Sequence, residues 1–433
     1  MLHNQPAPLR LAHKDEEGVF WHPPSMPRAI FFILSEVEGR AILMQFRFVA
    51  LLILLASILV PALAHARDVN VSTVPQILLA IADAKAGDII TVAPGRYELP
   101  GLRLTASGNL QHKIVLRAAR PGTVELRSAA VEFMKISGSD WVVENFDIAG
   151  ICASDTDCEH AFHIVSHADR TLIRDNRIRD YNAHIKGNGE GGYFPSDVVI
   201  AGNMLFDTRP RVTDNPIAPV DVVGGSRWIV RGNLIADFAK RLDHPPVRTD
   251  DWSYAMFLKG NSENGLIENN VVGCIIDAPP TPSIRGIALG GSGTGHNAGL
   301  CDRGDDCTTE HRHGTIRGNI VFNCPAEPGI YLFKSADTLI ARNIVIATAG
   351  IEAVSPETSA RLSGNRFDGA IVVQDGATIA GANDNVVLTK EEARQRDLLP
   401  LLGKMSPKPG SDLARAARLV ARYRTYRAAL TKR

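Results

Sequence analysis

Seven copies of one short motif, an amphipathic helix ahead of them and irregular insertions between them predict an all-β chain wound as a right-handed parallel β-helix. The motif is two apolar β-formers, two polar residues and an asparagine. It reads Leu172-Ile173-Arg174-Asp175-Asn176, Val199-Ile200-Ala201-Gly202-Asn203, Ile229-Val230-Arg231-Gly232-Asn233 and Leu266-Ile267-Glu268-Asn269-Asn270. It continues as Thr315-Ile316-Arg317-Gly318-Asn319, Leu339-Ile340-Ala341-Arg342-Asn343 and Leu362-Ser363-Gly364-Asn365. The last three asparagines are 24 and 22 residues apart, and the earlier gaps are 27, 30, 37 and 49. Loops inserted into one basic unit produce that series. A repeat of this size marks stacked units, none of which can bury its apolar side alone.

Asparagine suits the corner between two strands because it tolerates the left-handed backbone conformation. Asparagines stacked at successive corners can also hydrogen-bond as a ladder at the strand spacing. Leucine-rich repeats share the period, but their Leu-x-x-Leu-x-Leu frame is absent, and Val and Ile fill most of the repeat positions. Ahead of the repeats, residues 74–85 read as a helix with Ile77, Leu78, Ile81 and Ala82 on one face. It leads into the strand-like Gly87–Tyr97, and a helix there would cap the open end of the stack. After Val387 the repeat is lost. Residues 390–402 and 411–430 read as helices, the second with Ser411 and Asp412 as N-cap candidates, and their expected role is to cover the other end. The arginines at 415, 418, 422, 424 and 427 read as a solvated basic face.

Lysine plus arginine and aspartate plus glutamate are equal at 47 each, so no global field favours nucleic acid or an anionic membrane. Met44-Gln45-Phe46-Arg47-Phe48, the apolar run from Val49 to Val60, Pro61 and Ala64-His65-Ala66 have the form of a signal peptide with its cleavage site. The run is short for a membrane span. The mature chain is expected to begin at Arg67, in the periplasm or outside the cell, without stable membrane insertion and as a monomer. Residues 1–43 show neither periodicity nor targeting logic, which makes Met44 the expected start. Four parts follow: 1–43 outside the mature protein, 44–66 as leader, 67–387 as β-helix and 388–433 as a C-terminal helical cap or tail. All six cysteines follow the leader, as suits an oxidising compartment. The expected disulfides join Cys152 to Cys158, Cys301 to Cys307 and Cys274 to Cys324. The cysteine spacing does not match a zinc site.

Insertions in a solenoid build its binding surface, so the longest one, between Asn270 and Asn319, is the place to seek chemistry. It holds Arg285, the glycine run Gly290-Gly291-Ser292-Gly293-Thr294-Gly295-His296 and Glu310-His311-Arg312-His313. The glycine run lacks the Lys-Ser/Thr of a phosphate loop and any surrounding βαβ pattern. The preceding coil adds Trp252, Tyr254 and Lys259, and earlier coils add His163, His184, Lys186 and Asp221. Lys259-Gly260-Asn261-Ser262 leading to Asn269-Asn270, with Arg285 on the next coil, resembles the chondroitinase B and alginate lyase family of β-helical polysaccharide lyases. Gly87–Tyr97 resembles it too. The likeness spans most of residues 70–390 in architecture and about two coils in site detail.

In that family a lysine is the base and an arginine the acid or charge stabiliser, so the resemblance implies Lys259 and Arg285, with Tyr254 and His184 beside them as further catalytic candidates. Trp252, Asp221, His163, Lys186, His296 and Lys334 are the expected substrate-binding residues. Lys334-Ser335 ahead of Asn343 fits the local lysine pattern as well. β-Elimination from a uronic acid needs the carboxylate neutralised and a base for the C5 proton, which lysine can be only if its pKa is lowered. The resemblance raises calcium as a cofactor, but Trp252 and Tyr254 stand where the family places acidic ligands, with Asp250 and Asp251 slightly earlier. The expected activity is β-elimination on an acidic polysaccharide or oligosaccharide, with Lys259, Arg285, Tyr254 and His184 on one face within one sugar length. A pectinase-type hydrolase, which needs converging carboxylates, and a non-catalytic glycan-binding or envelope β-helix are the alternatives.

Overall fold

The computed structural model describes residues 66–241, 252–279, 281, 283–291 and 308–432. Each coil runs through three strands, and the strands stack into three all-parallel sheets of 12, 11 and 10, with a small three-stranded sheet at one corner. This is the right-handed parallel β-helix. In the first sheet Ile90, Leu116, Val143, Ile173, Ile200, Val230, Ile267, Ile316, Ile340 and Leu362 lie in register as one buried column. Parallel pairing repeats the same residue class at the same place in every coil, so one β-branched or leucine position per strand suffices for a continuous core.

The asparagines form a ladder through the interior. Asn176, Asn203, Asn233, Asn270, Asn319, Asn343, Asn365 and Asn385 follow one another, each Oδ1 accepting from the backbone N–H and the Nδ2 of the asparagine before it. Each Nδ2 from Asn176 to Asn365 also donates to a strand carbonyl one coil back, as Asn233 does to Ile200 at 3.0 Å. The left-handed residue, however, is the one before the asparagine: Asp175, Gly202, Gly232, Asn269, Gly318, Arg342 and Gly364 all have positive φ. The chain turns at that residue, and the asparagine is thereby aimed inward.

At the N-terminal end the helix Val74–Ala82 is capped by Thr73 and buries Ile77 and Ile81 against the stack. At the other end the C-terminal helical segment, expected as a cap or tail, is present. The helix Asp412–Leu430, capped by Ser411, lies along the second sheet, packing Ala416, Val420 and Tyr423 on Met204, Phe206, Leu234, Val271, Ile320, Phe322 and Ile346. The outward positions of that sheet are apolar over these coils, which gives the helix's apolar face its counterpart. Arg415 donates to the Asn269 carbonyl, Arg424 pairs with Asp277, and Arg427 with Tyr423 reaches Asp237, so three of the five arginines fasten the helix instead of facing solvent alone. The last coil keeps Val373, Val386 and Val387 46, 48 and 65% exposed.

Among the described residues both expected disulfides are formed. The bond between Cys152 and Cys158 closes the loop around Asp155–Asp157, and the bond between Cys274 and Cys324 ties neighbouring coils. Cys301 and Cys307, the third expected pair, both lie outside the described residues. His296, Asp250 and Asp251 lie outside them too. No helix among the described residues is long and apolar enough to cross a membrane.

Candidate functional site

The outer face of the third sheet gathers most of the residues singled out above. Its strands do not alternate strictly: Ala161-Phe162, His184-Ile185, Ala255-Met256 and Gly286-Ile287 are consecutive buried pairs at one level of the stack. That double step turns one residue per strand inward and brings residues three apart, such as Tyr254 and Phe257, to the same surface.

His184 falls on the inward position. It is fully buried, its Nε2 3.0 Å from the Phe206 carbonyl and 3.6 Å from Asp207, and burial pushes its pKa down to about 3. It cannot meet a substrate, which corrects its place among the catalytic candidates. His311 is likewise sealed inside, between Gly265 and Gly314, where an added Cβ would come within 2.8 and 2.6 Å of its ring.

Three outward columns remain. The first contains His160, Ala183, Ala218, Tyr254 and Arg285. The second contains Lys135, His163, Lys186, Asp221, Phe257, Ala288, Tyr331 and Glu352. The third contains Asn188, Val223, Lys259, Gly290 and Phe333. Arg285 therefore pairs with Tyr254, while Lys259 stands at the far end of the same strand, Ser253–Lys259. Five residues at the strand rise separate those levels by roughly 16 Å. The expected single constellation is thus two clusters.

Around Lys259, the ammonium sits 4.4 Å from the Phe257 ring centroid. Burial holds its pKa below the ordinary lysine value; Asp221 opposes this, Lys186 adds to it and Glu310 opposes it. Lys186 Nζ lies 2.6 Å from Asp221 Oδ2. His163 bridges Glu132 Oε1 and Asn188 Oδ1, each at 2.6 Å. Glu310 accepts from the Gly260 N–H at 2.6 Å, and its own N–H donates to the Lys334 carbonyl, which places Lys334 beyond the third column.

Around Arg285, the guanidinium carbon lies 4.3 Å from the Trp252 ring, 4.1 Å from Tyr331 and 5.7 Å from Tyr254. Its Nε donates to Glu327 at 3.0 Å and a terminal nitrogen to the Tyr254 hydroxyl at 2.9 Å. The Trp252 indole N–H donates to the other Glu327 oxygen at 2.9 Å. Burial raises the Tyr254 pKa, and raises Tyr331 to about 12. Calcium takes six to eight oxygen ligands. At the positions where the family resemblance would put acidic ligands stand an indole and a phenol already bonded to a guanidinium, so these residues do not fit that ion.

Glu132, Phe257, Glu327, Tyr331 and Glu352 were not anticipated from the sequence, and Glu310 was noted only as part of the insertion. Aligning coils on the asparagine ladder would have placed Tyr331 and Glu352 in the column of Phe257, but Glu327 and Glu310 precede their strands and carry no repeat signal.

No family model and no curated protein matches the chain. Among solved structures it is similar to an alginate lyase from Paenibacillus sp. str. FPU-7, at 13% identity and a TM-score of 0.42, over 72% of this chain and 99% of that one. It is also similar to a mannuronic acid specific polysaccharide family 6 lyase from human gut microbiota, at 16% identity and a TM-score of 0.42, over 74% of this chain and 64% of that one. A third similarity is to the Dettilon tailspike protein, at 13% identity and a TM-score of 0.43, over 72% and 62% of the two chains.

Proposed function

We propose that the protein is an exported polysaccharide lyase that cleaves a uronic-acid-containing glycan by β-elimination, with Lys259 as the base. The observation that carries this reading is the placement of Lys259: an amine on the outer face against the Phe257 ring, on the coil after Asp221, whose own partner is Lys186, with burial lowering its pKa. Neutral Lys259 takes the C5 proton of the uronate. The electron pair forms the C4=C5 double bond as the C4–O bond breaks, and the leaving oxygen takes up a proton from water. Lys186 supplies positive charge for the carboxylate, which makes the C5 proton acidic. Arg285 and Tyr254 act at a different sugar of the same chain.

Incubation of the mature protein with a panel of polyuronates, followed by the absorbance of the unsaturated product, tests the reaction. Lys259→Met is expected to lower kcat at least 100-fold while oligosaccharide binding persists. New reducing ends without unsaturation would mean hydrolysis instead. Export is tested on secreted material by N-terminal sequencing, with Arg67 as the expected first residue.

A further inference from the structure

Trp252 is the exposed tryptophan of the described residues, 37% accessible, whereas Trp141 and Trp228 are buried. Its ring is held in place from two sides, by the indole N–H bond to Glu327 and by the Arg285 guanidinium against its face. An ordered aromatic surface of this kind suits the C–H face of a sugar ring, since it offers area at little entropic cost. Tyr331 and Tyr254 extend it, backed by the buried Phe257 ring.

The charge on this platform is the informative part. Arg285 has a guanidinium donor at Glu327 and another at Tyr254, so it is not poised to clamp a substrate carboxylate with both arms of its fork. A second carboxylate, Glu352, is the register partner of Tyr331 on the next coil. Burial raises its pKa, Arg285 opposes this, and Glu327 adds to it. Among the described residues here, one guanidinium faces two carboxylates. Hydroxyl and ammonium groups would find acceptors; an anionic sugar would meet repulsion in a half-buried setting.

We propose that Trp252, Arg285, Tyr331, Glu327 and Glu352 form a distal sugar-binding position that takes an uncharged or amino sugar and rejects one bearing carboxylate or sulfate. The assignment of Lys259 to the cleaved uronate is the reading given above, and on it the substrate is a mixed glycan, acidic at the scissile unit and non-anionic some units away. The position itself does not need that reading.

The test is a fluorescence titration of the mature protein, because Trp252 dominates any ligand-induced change. The probes are an unsulfated hexasaccharide alternating glucuronate with N-acetylglucosamine, and a hexasaccharide of mannuronate alone. The alternating probe is expected to bind at least tenfold more tightly. Trp252→Ala should abolish the fluorescence change and weaken binding, measured by calorimetry, about tenfold. Glu352→Gln, and Glu327→Gln with it, should narrow the gap by strengthening the mannuronate probe. Equal or tighter binding of the mannuronate probe overturns the proposal, as does binding of the alternating probe that Trp252→Ala leaves unchanged, or no binding of either. Saturable binding at Trp252 without elimination supports this position and defeats the lyase reading alone.

Discussion

At the scale of single residues, the protein separates groups that a pattern search lumps together. Lys259 and His184 are both polar residues of one sheet, yet one stands at the rim and the other is sealed within a coil. Because the Lys259 pKa is lowered, the neutral base becomes available at lower pH than for an ordinary lysine near 10.4. Elimination should therefore rise with pH up to that depressed pKa and then level off, a profile read from kcat at saturating substrate. His184 and His311 have pKa values of about 3 in the folded chain and about 6.5 unfolded. The unfolded state thus binds more protons between those limits, and stability is lost as pH falls from 6.5 toward 3. Urea midpoints should drop across that range. His311→Leu, which replaces a ring whose two nitrogens lack hydrogen-bond partners, should flatten the slope.

At the scale of elements, the asparagine ladder holds the turns. Asn233 accepts from two donors of Asn203, and its Nδ2 donates to Ile200 and to Asn270. Asn233→Ala leaves those buried groups unpaired and should cost about 2–4 kcal/mol. Asn385, at the exposed end of the ladder, should cost about 1 kcal/mol or less on the same change. Chemical unfolding of the two variants checks the contrast. The ladder was legible in the repeat; the left-handed residue ahead of it was not, because several residue types occupy that place and only backbone geometry identifies it.

At the scale of the whole molecule, the C-terminal helix joins coils far apart in sequence. Tyr423 and Arg427 both meet Asp237, which also accepts backbone N–H groups from Ile276, Asp277 and Ala278. Tyr423→Ala should cost about 3–5 kcal/mol. Limited proteolysis between residues 403 and 411 should then release the helix before the coils unfold.

The sequence by itself determined the coil, since a stacked fold writes its register into every repeat: the core columns, the ladder, the N-terminal helix and the pairs Cys152–Cys158 and Cys274–Cys324 were all readable. Tertiary structure alone decided which side chains share a surface. Lys259 and Arg285 lie on adjacent coils, yet at opposite ends of their strands, and a gap in sequence number carries no information about position along a strand. The double step that buries His184 and turns Tyr254 to the outer face, and the apolar stripe that draws the last helix to the second sheet, arise from contacts between coils that no single repeat contains.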